Sequence, residues 1–120
     1  MINKTVKIQI GGNSYDVGFP KTGQLIDIQI IKAKITEDRL EAFKNFGIDG
    51  ILCHIIVDTI ATFNIMIPQL KEDLVVNGLL DLSLDKMIEI AYIYKDVYKP
   101  FYDGILDEIT ATKKEEKKDA

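Results

Sequence analysis

Lys4-Thr5-Val6-Lys7-Ile8-Gln9-Ile10-Gly11-Gly12-Asn13-Ser14-Tyr15-Asp16-Val17-Gly18-Phe19 carries the first structural signal in the chain. Val6, Ile8 and Ile10 alternate with Lys7 and Gln9; Tyr15, Val17 and Phe19 alternate with Asp16 and Gly18. A period of two puts each apolar set on one face of a strand. Between the two runs lie Gly11, Gly12, Asn13 and Ser14, residues that tolerate the positive φ angles of tight turns. The segment therefore reads as a β-hairpin with one apolar face. An isolated hairpin is marginal in water. Helices must cover that face, or strands from other subunits must extend it.

Downstream the spacing becomes helical. Pro20 ends the second strand, and Thr22 offers an N-cap hydroxyl. Residues 24–35 admit two readings. Leu25, Ile28, Ile31 and Ile35, with Ile26 and Ile30 beside them, make the wide apolar face of a helix; Ile26, Ile28 and Ile30 alone alternate as a strand would. The helix is the preferred one. Thr36, followed by Glu37 and Asp38, suits the start of a short helix reaching about Asn45. Residues 46–50 form a break. Residues 51–65 make a helix that is apolar on nearly all sides, with Leu52, Ile55, Ile56, Ile60 and Phe63 spaced for packing. Such a helix is central, or shared with a partner. Pro68 suits the first turn of a further helix, closed by Asn77-Gly78. Ser83 caps the last long one, whose buried stripe is Leu84, Met87, Ile88, Ala91, Tyr94 and Tyr98, and Pro100 should kink or interrupt it. The expected fold is a single α+β domain over residues 1–112, an N-terminal β-hairpin followed by a bundle of about five helices. A charged, flexible tail over residues 113–120 completes the chain.

Composition narrows the function. The chain has 120 residues, 47% hydrophobic and 28% charged, with a net charge of −4. That suits one globular domain large enough to bury a core without a disulfide or metal. The tail holds four Lys, two Glu and one Asp, so the remaining body has 16 acidic against 11 basic residues. An acidic body with no basic stripe argues against nucleic-acid binding. The start MINKTVKIQI lacks the apolar block of a secretory signal. The apolar segment 51–67 is interrupted by His54, Asp58, Thr59, Thr62 and Asn64, which argues against a membrane span. A lone cysteine, Cys53, fits a reducing cytoplasm.

No residue set carries catalytic chemistry. Cys53 and His54 are adjacent, and neighbours on a helix point about 100° apart rather than at each other. One Cys and one His fall short of a zinc set. Asp103, Asp107 and Glu108 read as a solvated helix face, and Gly11-Gly12 as a hairpin turn rather than a phosphate loop. The expectation is no catalytic residue, no cofactor and no metal. The aromatic cluster is more telling. Tyr92, Tyr94, Tyr98, Phe101 and Tyr102 lie within eleven residues. Dense tyrosines suit an interface or the edge of a core. One helical stripe cannot bury Tyr92, Tyr94 and Tyr98 together, so at least one ring is exposed or covered by a partner. The candidate protein-binding residues are Tyr92, Tyr98, Phe101 and Tyr102, with Ile65 and Ile67 beside Pro68. Tyr98 and Phe101 are expected to be removable together without loss of the fold.

The order of these pieces resembles a known family. The glycine-turn hairpin leads into Phe19-Pro20-Lys21-Thr22-Gly23 and an acidic-apolar helix. Ile65-Met66-Ile67-Pro68-Gln69-Leu70 and Tyr94-Lys95-Asp96-Val97-Tyr98-Lys99-Pro100-Phe101-Tyr102 follow. In pattern, residues 4–105 resemble the tail assembly chaperones of long-tailed bacteriophages. The family often carries Trp after the last proline, where this chain has Phe101 and no Trp anywhere. The resemblance implies a non-enzymatic helper in the host cytoplasm. It would bind and solubilise the tape-measure protein during tail morphogenesis, recruit tail-tube subunits and be absent from the finished virion. A homo-oligomer is compatible with it, and neither nucleic acid nor membrane is implied as a partner. The alternative is a structural virion protein, a connector or ring subunit with permanent oligomer contacts. A ligand sensor or small regulatory enzyme would need a polar pocket for which the sequence gives no sign.

Overall fold

A computed structural model describes residues 4–37 and 39–119, with the side chains of all of these except 40 and 112–119. Strands β1 (Thr5–Ile10) and β2 (Asn13–Gly18) pair antiparallel, with Val6 opposite Val17 and Ile8 opposite Tyr15. Gly11 and Gly12 form the whole turn, at φ 59° and 86°. Two successive positive φ angles are what a type I′ turn requires, and only that turn hand matches the twist of the strands. Ile8, Ile10, Tyr15 and Val17 are buried, while Lys7, Gln9 and Asp16 face solvent.

Helices cover the apolar face. In order they are α1 (Thr22–Thr36), a 3₁₀ helix (Leu40–Asn45), α2 (Gly47–Met66), α3 (Leu70–Asp73), a second 3₁₀ helix (Leu79–Asp81), α4 (Leu84–Ile93), a π turn (Tyr94–Tyr98) and α5 (Lys99–Asp119). The expected architecture holds: a two-stranded hairpin followed by helices, among which α3 is a single turn. Ile60 and Phe63 from α2, Leu70, Leu79, Met87 and Ile90 join the four hairpin residues in one core with Tyr94 and Tyr98. Phe63 has no solvent exposure, and its ring meets Tyr94 and Tyr98 edge-on at 5.7 and 6.2 Å.

Several local expectations need correction. Residues 24–35 are helical, but α1 opens at Lys21, whose N–H donates to the Gln24 side chain at 2.9 Å, rather than on a Thr22 cap. Thr36 closes α1 instead of starting the next helix. Its hydroxyl donates back to the Lys32 carbonyl at 2.9 Å, and Glu37 turns left-handed at φ 52°. Asp38, expected to help open a helix with Glu37, lies outside the described residues. Helix α2 begins four residues earlier than the sequence suggested. Gly50 read as a breaker; it is instead a close approach, because a Cβ there would run into the Phe43 carbonyl. After Pro68 the helix lasts one turn, and the chain reverses at Val75, φ 56°, ahead of Asn77.

Pro100 does not stop the last helix. It has no N–H to offer Asp96, and its ring crowds that carbonyl. The turn before it widens instead: the Lys99 N–H donates to the Tyr94 carbonyl, five residues back. Helix α5 then carries the backbone of the charged tail on to Asp119.

Tyr98 sits at the junction, 2% exposed, and its hydroxyl donates to the Gly18 carbonyl at 3.0 Å. Its expected place in the buried stripe therefore holds, and its choice as an exposed protein-binding residue is wrong: it is a core ring. Tyr98→Phe should lose about 1 kcal/mol of stability with the hydrogen bond. Tyr98→Ala should lose about 3–5 kcal/mol, as for other buried aromatics. Urea unfolding of both variants checks this ordering, and a Tyr98→Ala variant as stable as the parent contradicts it.

Candidate protein-binding surface

The six residues singled out in the sequence are divided by the fold. Ile67, like Tyr98, is 2% exposed. It follows the last turn of α2, its N–H donates to the Phe63 carbonyl at 2.9 Å, and it belongs to the core. Neither can meet a partner without unfolding. Ile65, Phe101 and Tyr102 are half-buried. Tyr102 stacks on Phe19 at 5.1 Å, with Lys99 Nζ 5.0 Å from its ring centre, and Phe101 lies 5.9 Å from Tyr98. Tyr92 alone of the six is well exposed, at 55%. It is the ring that the buried stripe of Tyr94 and Tyr98 leaves outside.

A larger apolar surface lies away from these six residues. Val57 to Phe63, on the second half of α2, run through the core, with only Asp58 partly exposed. The first half projects beyond it: Ile48 is 84% and Ile51 64% exposed. Between this half and α4 lies an open groove of about 330 Å³, lined by Ile48, Ile51, Leu52, Ile55, Ile88, Ala91, Tyr92 and Lys95. Across the ridge of Ile51 and Ile55 lies a second groove of about 250 Å³, with Phe43, Gly50 and His54 in its walls. Helix α1 adds a further apolar stripe. Only Ile28 is buried there, and Leu25, Ile26 and Ile30 are 40–54% exposed. The all-round apolarity of α2 was the available signal. Which half it exposes depends on where α4 crosses it.

By length and composition α2 could cross a membrane, but here its second half is packed inside the protein. The polar groups near it are structural. Lys32 Nζ on α1 lies 2.6 Å from Asp58 Oδ1 on α2, and His54 Nδ1 lies 3.4 Å from the other carboxylate oxygen. The Tyr94 hydroxyl bonds to Thr62 beside them. This cluster joins α1, α2 and the π turn. Cys53 and His54 themselves are exposed. No three His, Cys, Asp or Glu side chains converge among the described residues.

Burial, reinforced by the nearby Asp58 charge, pushes the Tyr94 phenol up to about 12. Burial also raises Tyr15 to about 12, aided by its 2.6 Å hydrogen bond to Asp73, and raises Tyr98 further. A phenol near pKa 10 in the unfolded chain then loses its proton before the folded one does. The folded state holds more protons through this window, so its stability is full below about pH 10 and falls as pH rises toward about 12. Thermal melts from pH 9 to 12 should show that fall, with phenolate absorbance appearing as the protein unfolds.

Polar substitutions in the projecting half of α2 should leave the fold intact, because Ile48 and Ile51 contribute little burial. Ile48→Ser with Ile51→Ser is expected to change unfolding stability by under about 1 kcal/mol, in the range of exposed sites. A greater loss in urea unfolding would place these residues in the core. No protein-family model, curated protein or solved structure matches this chain.

Proposed function

We propose that this protein is a non-enzymatic assembly chaperone of a long-tailed phage, acting in the host cytoplasm to hold the tape-measure protein soluble until the tail tube encloses it. One observation carries the reading: the grooved apolar surface around Ile48, Ile51 and Tyr92, left open to solvent. Fully burying a side chain such as Ile contributes about 1.5–3 kcal/mol. A few such contacts are enough for binding that can be reversed when the tube arrives. A groove between two helices suits an amphipathic helix laid into it. A tape-measure protein, long and rich in apolar helical stripes, is a substrate of that kind. The resemblance of residues 4–105 to the chaperone family supports the same reading.

The test is co-expression of this chain with a candidate tape-measure protein, followed by purification of assembled tails. The expected result is a soluble tape-measure protein and tails that lack this chain. Ile48→Ser with Ile51→Ser should return the tape-measure protein to the insoluble fraction. Retention of the chain in purified tails at fixed stoichiometry would instead make it a structural subunit, a connector or ring component.

A further inference from the structure

The groove between α2 and α4 has two walls of the same pattern. From α2 it is lined by Ile48, Ile51, Leu52 and Ile55. From α4 and the π turn it is lined by Ile88, Ala91, Tyr92 and Lys95. Each set follows the spacing i, i+3, i+4, i+7, which is one face of a helix over two turns. Two such faces side by side suit the matching face of a third helix, about 10 Å long.

Lys95 is the one charged side chain in this lining, and it is exposed. Its Nζ lies 5.8 Å from the Tyr92 ring centre, and among the described residues it has no ion pair. The neighbouring groove is different: Lys44 there meets Glu41 at 2.8 Å, and His54 meets Asp58 at 3.4 Å. No carboxylate lines the α2–α4 groove; Asp49 and Asp96, next in sequence to its lining, lie outside it. The chain as a whole carries a net charge of −4, so its long-range field favours a basic partner. The groove reverses that sign locally, with one uncompensated cation on an apolar wall.

We infer that the α2–α4 groove selects an amphipathic helix that carries a carboxylate at the edge of its apolar face, placed against Lys95. The inference rests on the reading that this groove receives a helix, and it adds which helices are accepted. Burial of the apolar face supplies most of the affinity. The charge pair discriminates: it favours a helix with an acidic edge, repels one with a basic edge, and fixes the register in which the helix lies.

Binding of two synthetic peptides to the full chain, read by fluorescence anisotropy, tests this. Both are about twenty residues long, enough to hold a helix in water. They share one leucine face, flanked by glutamate in one and by lysine in the other. The glutamate peptide is expected to bind about fivefold tighter, in line with a rim charge pair against its reversal. The difference should close in about 1 M salt, where charges are screened within about 3 Å. Lys95→Glu should turn the order round, and Lys95→Met should bind the two peptides alike. Circular dichroism checks that the fold survives, and Lys95→Gln replaces either variant that does not fold. Ile48→Ser with Ile51→Ser should weaken both peptides, which places them in the groove. Equal binding of the two peptides by the parent chain, or tighter binding of the lysine peptide as net charge alone would give, overturns the selection by Lys95 and leaves the groove as a helix receptor. Binding of neither peptide, or binding that ignores Ile48→Ser with Ile51→Ser, overturns the inference together with the helix-in-groove reading; the co-expression result then decides the chaperone function by itself.

Discussion

The fold depends on the contact between the hairpin and the π turn. A two-stranded sheet with one apolar face has no stability of its own, and its buried residues need a surface that is already in place. Tyr98 is the centre of that surface. Its ring is held by Phe63, Tyr94 and Phe101, and its hydroxyl is tied to the last residue of β2. The Gly18 carbonyl it binds points outward from the hairpin, since the two-residue turn makes Ile10 and Asn13 the hydrogen-bonded pair and directs every second residue away. One hydrogen bond therefore fastens the sheet edge to the helical layer. Pro100 makes this geometry by denying the helix a regular turn. The wider turn stacks Tyr94 over Tyr98 at 6.1 Å and directs both rings at Phe63.

Much of the fold was legible in the sequence wherever the determinant was local. The alternation in residues 4–19 and the paired glycines specify strand, turn and register within sixteen residues. Prolines were less reliable guides. Pro100 signalled a disturbance, but whether it breaks a helix or only widens it depends on the aromatic packing around Tyr94 and Tyr98. Thr36 had the chemistry of a cap, and its hydroxyl satisfied a carbonyl behind it instead of an N–H ahead. Gly50 looked like a breaker because sequence cannot show a neighbouring backbone pressed against it.

The candidate binding surface was the least legible part. The tyrosine cluster was correctly read as too dense for one buried stripe, and Tyr92 is the ring left outside. Choosing Tyr98 and Ile67 as anchors failed because both answer to distant partners, Gly18 and the Phe63 region, that no local pattern reveals. The isoleucines of α2 give one continuous apolar signal along the helix. Only the position of α4 separates the half that forms the core from the half that projects. An apolar ridge with a groove on either side is costly to leave in water, and it is reasonable only in a chain that spends its time covered.

Side-chain oxidation by hydroxyl radicals, read by mass spectrometry, tests that claim most directly. The free chain is held at a concentration where it is monomeric and compared with the same chain mixed with a soluble fragment of the proposed tape-measure partner. Ile48, Ile51 and Tyr92 should be oxidised readily in the free chain and protected in the complex, while Phe63 and Tyr98 stay unreactive in both. Unchanged oxidation of Ile48, Ile51 and Tyr92 on binding, with protection confined to the outer edge of the hairpin, would contradict the assignment of the α2 surface as the site.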